Sequence, residues 1–272
     1  MSFTRLSTYR RCPAWFGYKY LSWHLDAKPS VLWVGKVVEK AFLSSLAFEP
    51  LATFDLKELE EGCRQRVKDV FDKLWEAAQK EFAADANALG AWAQDKDTYL
   101  QYTYQALRFH LHEVRCCMEG VHPRSGDKLG GVEAQEMHSA WQQSMPHFTA
   151  LDAEPFAGQQ AIDEGYFQGE PDLIYDWTGK RRIIDLKASA GQSVFSTETP
   201  LQMKCYAYLD YKTDKGLPEG LEIWFLGRPQ PVIVKVPTLH ELNDLDESIV
   251  ALLERSGKWE KYASFSRVDF KP

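Results

Sequence analysis

Three residues set the chemical problem: Asp172, Asp185 and Lys187, within the segments Gly169-Glu170-Pro171-Asp172-Leu173-Ile174-Tyr175 and Ile183-Ile184-Asp185-Leu186-Lys187. Asp172 to Trp177 and Arg182 to Leu186 read as short strands, and Trp177-Thr178-Gly179-Lys180 reads as a hairpin turn between them. On adjacent antiparallel strands, a residue near the start of the first lies beside one near the end of the second, so the two aspartates face one point. Carboxylates held that close repel each other unless a cation lies between them. Hard oxygen ligands with an open coordination sphere suit Mg²⁺ or Mn²⁺. Lys187 follows Asp185 by two residues, so it projects to the same face of its strand, where an ammonium suits a phosphate.

Positioning such a site takes a sheet and the helices that cover it. Beyond the hairpin, Thr199-Pro200-Leu201-Gln202 opens a helix running to about Tyr211, with Thr199 as N-cap, Pro200 at the first helical position and Gln202 completing a capping box. Strands follow at Leu221–Leu226 and near Val232–Val236, then a last helix from about Leu239 to Arg255. Upstream of the hairpin, Gly131–Trp141 and Ala161–Gln168 also read as strands, after a turn-rich break at 122–131. The first part of the chain is helical. Val38, Phe42 and Leu46 recur at spacing four in the segment Gly35–Leu46, which carries Glu39, and apolar stripes of helical period run over Asp55–Phe82 and about Asp97–Met118. The Ala-rich stretch between those two stripes fits a loop or a short helix. The order predicts an α/β fold, a mixed sheet flanked by helices, in a single domain over 1–272 that is mainly helical to about 120.

Composition bounds the function. With 272 residues, 44% hydrophobic and 26% charged, the chain matches an ordinary globular protein and excludes a disordered one. No run is long and apolar enough for a spanning helix, and the start lacks the apolar core of a signal peptide, so a cytoplasmic protein is expected. The five cysteines (Cys12, Cys63, Cys116, Cys117, Cys205) are odd in number and unpatterned, which argues for reduced thiols. Neither HExxH nor a paired CxxC occurs, which argues against zinc. The net charge of −7 at first disfavours a polyanionic partner. Its distribution reverses that inference: residues 133–185 hold ten acids and three bases, while residues 1–50 hold seven bases, three acids and ten aromatics. The acidity marks a cation site, and the basic, aromatic start of the chain is the expected strand-binding surface.

The pattern Pro171-Asp172, twelve residues, then Asp185-Leu186-Lys187 resembles that of the PD-(D/E)xK nuclease superfamily. Four further segments are similar to those of its RecB-type branch, which includes the nuclease domains of RecB and AddB and CRISPR-associated exonucleases. They are Leu6-Ser7-Thr8-Tyr9 through Cys12-Pro13 to Phe16-Gly17-Tyr18, then Gly35-Lys36-Val37-Val38-Glu39, Gly169 to Asp172, and Gln202 to Tyr206. All fall in that branch's order. The resemblance implies a restriction-endonuclease-like fold with a helical N-terminal insertion, and a Mg²⁺- or Mn²⁺-dependent DNA exonuclease of repair, recombination or a mobile-element pathway.

It further implies that Asp172 and Asp185 ligate the metal with the Leu186 carbonyl, and that Glu39 approaches from its helix as another ligand. Lys187 would orient the attacking water and stabilise charge developing on phosphorus. Gln202 and Tyr206, one turn apart, would hold the scissile phosphate or Lys187. In the iron–sulfur members a cysteine equivalent to Cys12 joins three that follow the Q-x-x-x-Y helix; none follows Cys205 here, so no cluster is expected. The implied partner is DNA, single-stranded or at duplex ends, with a helicase or a recombination or repair protein beside it and no membrane. A structure-specific endonuclease and an inactive nucleic-acid-binding scaffold are the alternatives. Lys204 and Ser189 are further candidates for phosphate contact.

Overall fold

The computed structural model describes residues 30–81, 86–129, 133–147, 160–162, 165–167, 171–177, 179–189, 198–212 and 216–249. Helical periodicity is realised first as α1 (Ser30–Leu46), α2 (Leu56–Glu81) and α3 (Ala86–Glu119). Leu59, Cys63, Val67, Phe71, Trp75 and Ala78 form the buried stripe of α2. Its start is a reciprocal cap: the Asp55 carboxylate accepts from the Lys57 and Glu58 amides at 2.8 Å, while the Asp55 amide donates to Glu58 at 2.9 Å. The Ala-rich stretch from Ala86 belongs to α3 rather than to a separate short helix or loop. That helix stops at Gly120, whose φ of 65° only glycine adopts freely, with Val121 N–H returning to the Cys116 carbonyl.

The segment Gly131–Trp141 corrects the sequence expectation. It contains no strand among the described residues; α4 (Met137–Gln143) forms instead and buries Met137, Ala140 and Trp141. Those three share one helical face, and their burial against α3 outweighs the turn-bounded run that suggests a strand. Ala161–Gln168 also departs from one strand: β1 (Gln160–Ile162) and β2 (Gly165–Phe167) pair with each other as a separate antiparallel ribbon.

The main sheet has the order β3 (Leu173–Trp177), β4 (Lys180–Lys187), β5 (Gly220–Phe225), β6 (Val232–Val234). β3 and β4 are antiparallel, joined at Gly179 with φ 80°, whereas β4 and β5 are parallel and are connected through α5 (Glu198–Asp210). The helix begins at Glu198, so Thr199 lies inside it and is not the N-cap. α6 spans residues 239–249 and is capped by Thr238 and Glu241, each bonding the other's backbone amide. Strand residues alternate between two buried faces. Leu173, Tyr175, Trp177, Ile184 and Trp224 pack with α1 to α4, while Ile174, Ile183, Leu221, Ile223 and Phe225 pack with α5 and α6. The molecule is therefore an α/β fold, a mixed sheet with helices on both faces.

A buried charge quartet ties the helical side to the sheet. Arg124 donates to Glu113 at 2.8 Å and to Glu222 at 2.6 Å, and Arg182 donates to Glu222 at 2.9 Å and also to Glu113. Burial pushes Glu222 up, but the two guanidiniums more than offset it and hold the carboxyl below its usual range. Among the described residues, no helix is long and apolar enough to cross a membrane. Cys63, Cys116, Cys117 and Cys205 are buried, the Cys63 thiol pushed up to about 12 by burial; Cys12 lies outside the described residues.

Candidate active site

The carboxyl ends of the parallel strands β4 and β5 place the site. The register pairs Leu173 with Ile184, so one step further Asp172, in the bend before β3, stands beside Asp185. Leu186 N–H donates to Asp172 Oδ2 across that junction, fixing the carboxylate to the neighbouring strand. Pro171 is buried next to it.

Asp185 is 1% exposed and meets two groups. Lys187 Nζ lies 2.6 Å from Oδ2, and Gln202 Nε2 on α5 donates to Oδ1 at 3.1 Å. Gln202 also donates to the Tyr206 hydroxyl at 2.7 Å and faces Lys187 Nζ through Oε1 at 3.5 Å. One amide thus touches an aspartate, a lysine and a tyrosine. The i, i+4 spacing of Gln202 and Tyr206 on α5 puts both on the strand-facing side.

On the other side of Asp172 lies a cavity of about 300 Å³, lined by Gly35, Lys36, Val38, Glu39 and Phe42 of α1, Ala106 of α3, and Asp172, Leu186, Ala188 and Leu226 at the end of the sheet. Glu39 therefore faces the cavity that Asp172 opens into. Lys36, absent from the sequence expectations as a site residue, shares that wall because it precedes Glu39 by three.

Electrostatics sharpen the picture. The Asp172 carboxyl is raised well above its ordinary value by burial, then by the charges of Asp185 and Glu39, with the Leu186 amide and Lys187 opposing. Asp185 is raised as well, because burial outweighs the Lys187 ion pair. Tyr206 is raised by burial and by both aspartates, which keeps its hydroxyl protonated at neutral pH.

Such a donor set could hold a hard divalent cation. Two buried carboxylates repel, and Asp185 Oδ2, although in ion-pair contact with Lys187, makes no hydrogen bond of good geometry. Among the described residues, no three His, Cys, Asp or Glu side chains converge tightly enough to cage an ion. Two carboxylates are enough protein donors for Mg²⁺, which keeps waters and is held by one or two carboxylates plus substrate phosphate.

The structure brings Asp172, Asp185, Lys187, Gln202 and Tyr206 together and sets Glu39 across the cavity. Lys204 instead pairs with Glu241 of α6 at 3.3 Å, and Ser189 lies just past the end of β4. The segment from Leu6 to Tyr18 and residues Gly169 and Glu170 lie outside the described residues.

A sequence model of the PD-(D/E)XK nuclease superfamily matches residues 1–265. No curated protein and no solved structure matches the chain.

Proposed function

The chain belongs to the PD-(D/E)XK nuclease superfamily, and from that membership we propose that it is a Mg²⁺- or Mn²⁺-dependent DNA exonuclease of the RecB-type branch. The mixed sheet flanked by helices agrees with the restriction-endonuclease-like fold of the superfamily, whose activity is metal-dependent cleavage of nucleic acid. The observation that carries the reading is the buried Asp172 and Asp185 pair with Lys187 2.6 Å from one and Gln202 3.1 Å from the other oxygen of Asp185.

Asp172 and Asp185, with the Leu186 carbonyl, would hold the cation, and Glu39 adds a carboxylate from across the cavity. When bound, the cation lowers the pKa of water and offsets charge on the phosphoryl oxygens. Lys187 orients the attacking water and stabilises the negative charge that develops on the phosphate. Gln202 restrains both the lysine and Asp185, so their separation is set before substrate arrives. Tyr206, kept protonated, supplies a neutral hydroxyl beside the phosphate. We read the whole chain as one nuclease domain without an iron–sulfur cluster, since no cysteine follows Cys205. It works in the cytoplasm on single strands or duplex ends in repair, recombination or a mobile-element pathway, beside a helicase or another recombination protein.

The test is digestion of 5′- and 3′-labelled linear and circular DNA, single- and double-stranded, with Mg²⁺, Mn²⁺ or EDTA. Metal-dependent loss of linear DNA with intact circles is the expected result. Cleavage of circles would replace the exonuclease with an endonuclease, and no cleavage at all would leave a binding scaffold.

A further inference from the structure

Two neighbouring residues of α1, Gly35 and Lys36, line the cavity. Gly35 sits inside the helix, where glycine is a poor choice, and apart from its chain neighbours and the helix's own backbone no atom of the described residues lies within 4 Å of where a side-chain Cβ would stand. Nothing described in the fold demands a glycine there. Lys36 is exposed on the same wall, with its ammonium 5.7 Å from the Trp33 ring, and it makes no ion pair among the described residues although Glu39 is one turn away. A bare stretch of helix backbone and a cation outside any ion pair among the described residues thus border a largely apolar cavity whose other charged residues are Glu39 and Asp172. An anion approaching that cavity meets repulsion from Glu39 and Asp172, and Lys36 is the cation on its α1 wall.

We propose that α1 carries the strand-docking surface of this site: the sugar–phosphate backbone passes against Gly35, and Lys36 Nζ pairs with the phosphate next to the one being cut. The glycine leaves the room that a Cβ would fill, and the lysine draws the flanking phosphate past the acidic rim. This rests on the nuclease reading above and deepens it by naming what holds the polymer rather than what cuts it.

The test compares a single-stranded oligonucleotide with bis(p-nitrophenyl) phosphate, a diester without flanking nucleotides, on wild type and the variants Lys36→Ala, Lys36→Arg and Gly35→Ala. Lys36→Ala should raise KM for the oligonucleotide about tenfold more than for the small diester, and lower the slope of log affinity against log salt by about 0.7. Lys36→Arg should restore most of the affinity. Gly35→Ala should raise Tm by about 2–4 °C, because alanine favours the helix, and still weaken oligonucleotide binding. An unchanged salt slope in Lys36→Ala, or a Gly35→Ala protein that melts lower or binds as wild type does, would overturn the proposal. If wild type cleaves nothing with either metal, the nuclease reading fails by itself. Docking is then decided by anisotropy of a labelled oligonucleotide in Ca²⁺, where wild-type affinity in Lys36→Ala would sink it.

Discussion

The Gln202 amide on α5 donates to Asp185 Oδ1 on β4 at 3.1 Å while its carbonyl oxygen faces Lys187 Nζ at 3.5 Å, so one side chain touches both partners of the Asp185–Lys187 ion pair. Partners that orient metal-binding carboxylates are worth about 10–100-fold in affinity or activity. Gln202→Ala should therefore cost about that factor in cleavage while the protein stays folded. A calorimetric titration with Mn²⁺ in parallel separates weakened metal binding from a displaced Lys187. Wild-type values in both would show that Gln202 only serves the helix.

Asp185 lies buried beside Asp172, and its charge adds to burial in making the Asp172 carboxyl costlier to ionise. Asp172→Asn removes one of those charges. In EDTA its Tm should exceed that of wild type, and Mn²⁺, which should stabilise wild type by binding the native state, should no longer raise it. Cleavage should fall by more than about 100-fold. Lys187→Ala should also lose cleavage but keep the Mn²⁺-induced rise in Tm. Thermal melts with and without metal, beside the digestion assay, check all of this. An active Asp172→Asn enzyme would remove the aspartate pair from the mechanism.

What could be read from sequence follows physical range. The period of two on β4 puts Asp185 and Lys187 on one face, and the hairpin at Gly179 brings Asp172 opposite, because both relations are local. The stripe from Leu59 to Ala78 was equally legible, since a helix needs only its own periodicity. The segment from Gly131 to Trp141 misled because its seven-residue helix is decided by contact with α3, a partner distant in sequence. The quartet of Glu113, Arg124, Arg182 and Glu222 was invisible for the same reason: each looks like a surface charge until the fold brings the four together. In the sequence Lys36 and Gly35 are only letters of a motif, and their place on the cavity wall needs the sheet to be present.

His110 gives a pH prediction outside the site. It is fully buried on α3, bonded through Nδ1 to the Tyr175 hydroxyl at 2.8 Å, and burial lowers its pKa to about 3 from 6.5. The folded state takes up this proton less readily than the unfolded state. The resulting stability is complete above the unfolded value and is lost as pH falls towards 3. Between pH 7 and 5 the loss should be about 2 kcal/mol. The raised aspartates act in the opposite sense, contributing stability that disappears as pH rises through their folded values, so the comparison must be with a variant. His110→Asn, which keeps a polar partner for Tyr175, should be less stable at pH 7 yet show a shallower loss on acidification in urea titrations. An unchanged slope would mean that other groups carry the acid sensitivity.

The last prediction concerns the quartet, which joins α3 through Glu113 and the following loop through Arg124 to the strands that carry Asp185 and its parallel neighbour. Arg182 is almost wholly buried; burial would lower its pKa, yet Glu113 and Glu222 raise it above the usual guanidinium range. Removing one carboxylate leaves that charge undercompensated in a medium where desolvation is costly. Glu113→Met should therefore lose about 3–5 kcal/mol of stability in urea unfolding, and Arg182→Met a similar amount. The double variant removes one acid and one base and leaves Arg124 facing Glu222 at 2.6 Å, a pair that can still neutralise itself. Its loss should be smaller than the sum of the single losses by about 1–3 kcal/mol, the signature of directly coupled charges. Additivity to within about 0.5 kcal/mol would mean that the four residues act as independent hydrogen bonds, and that the attachment of α3 to the sheet is apolar.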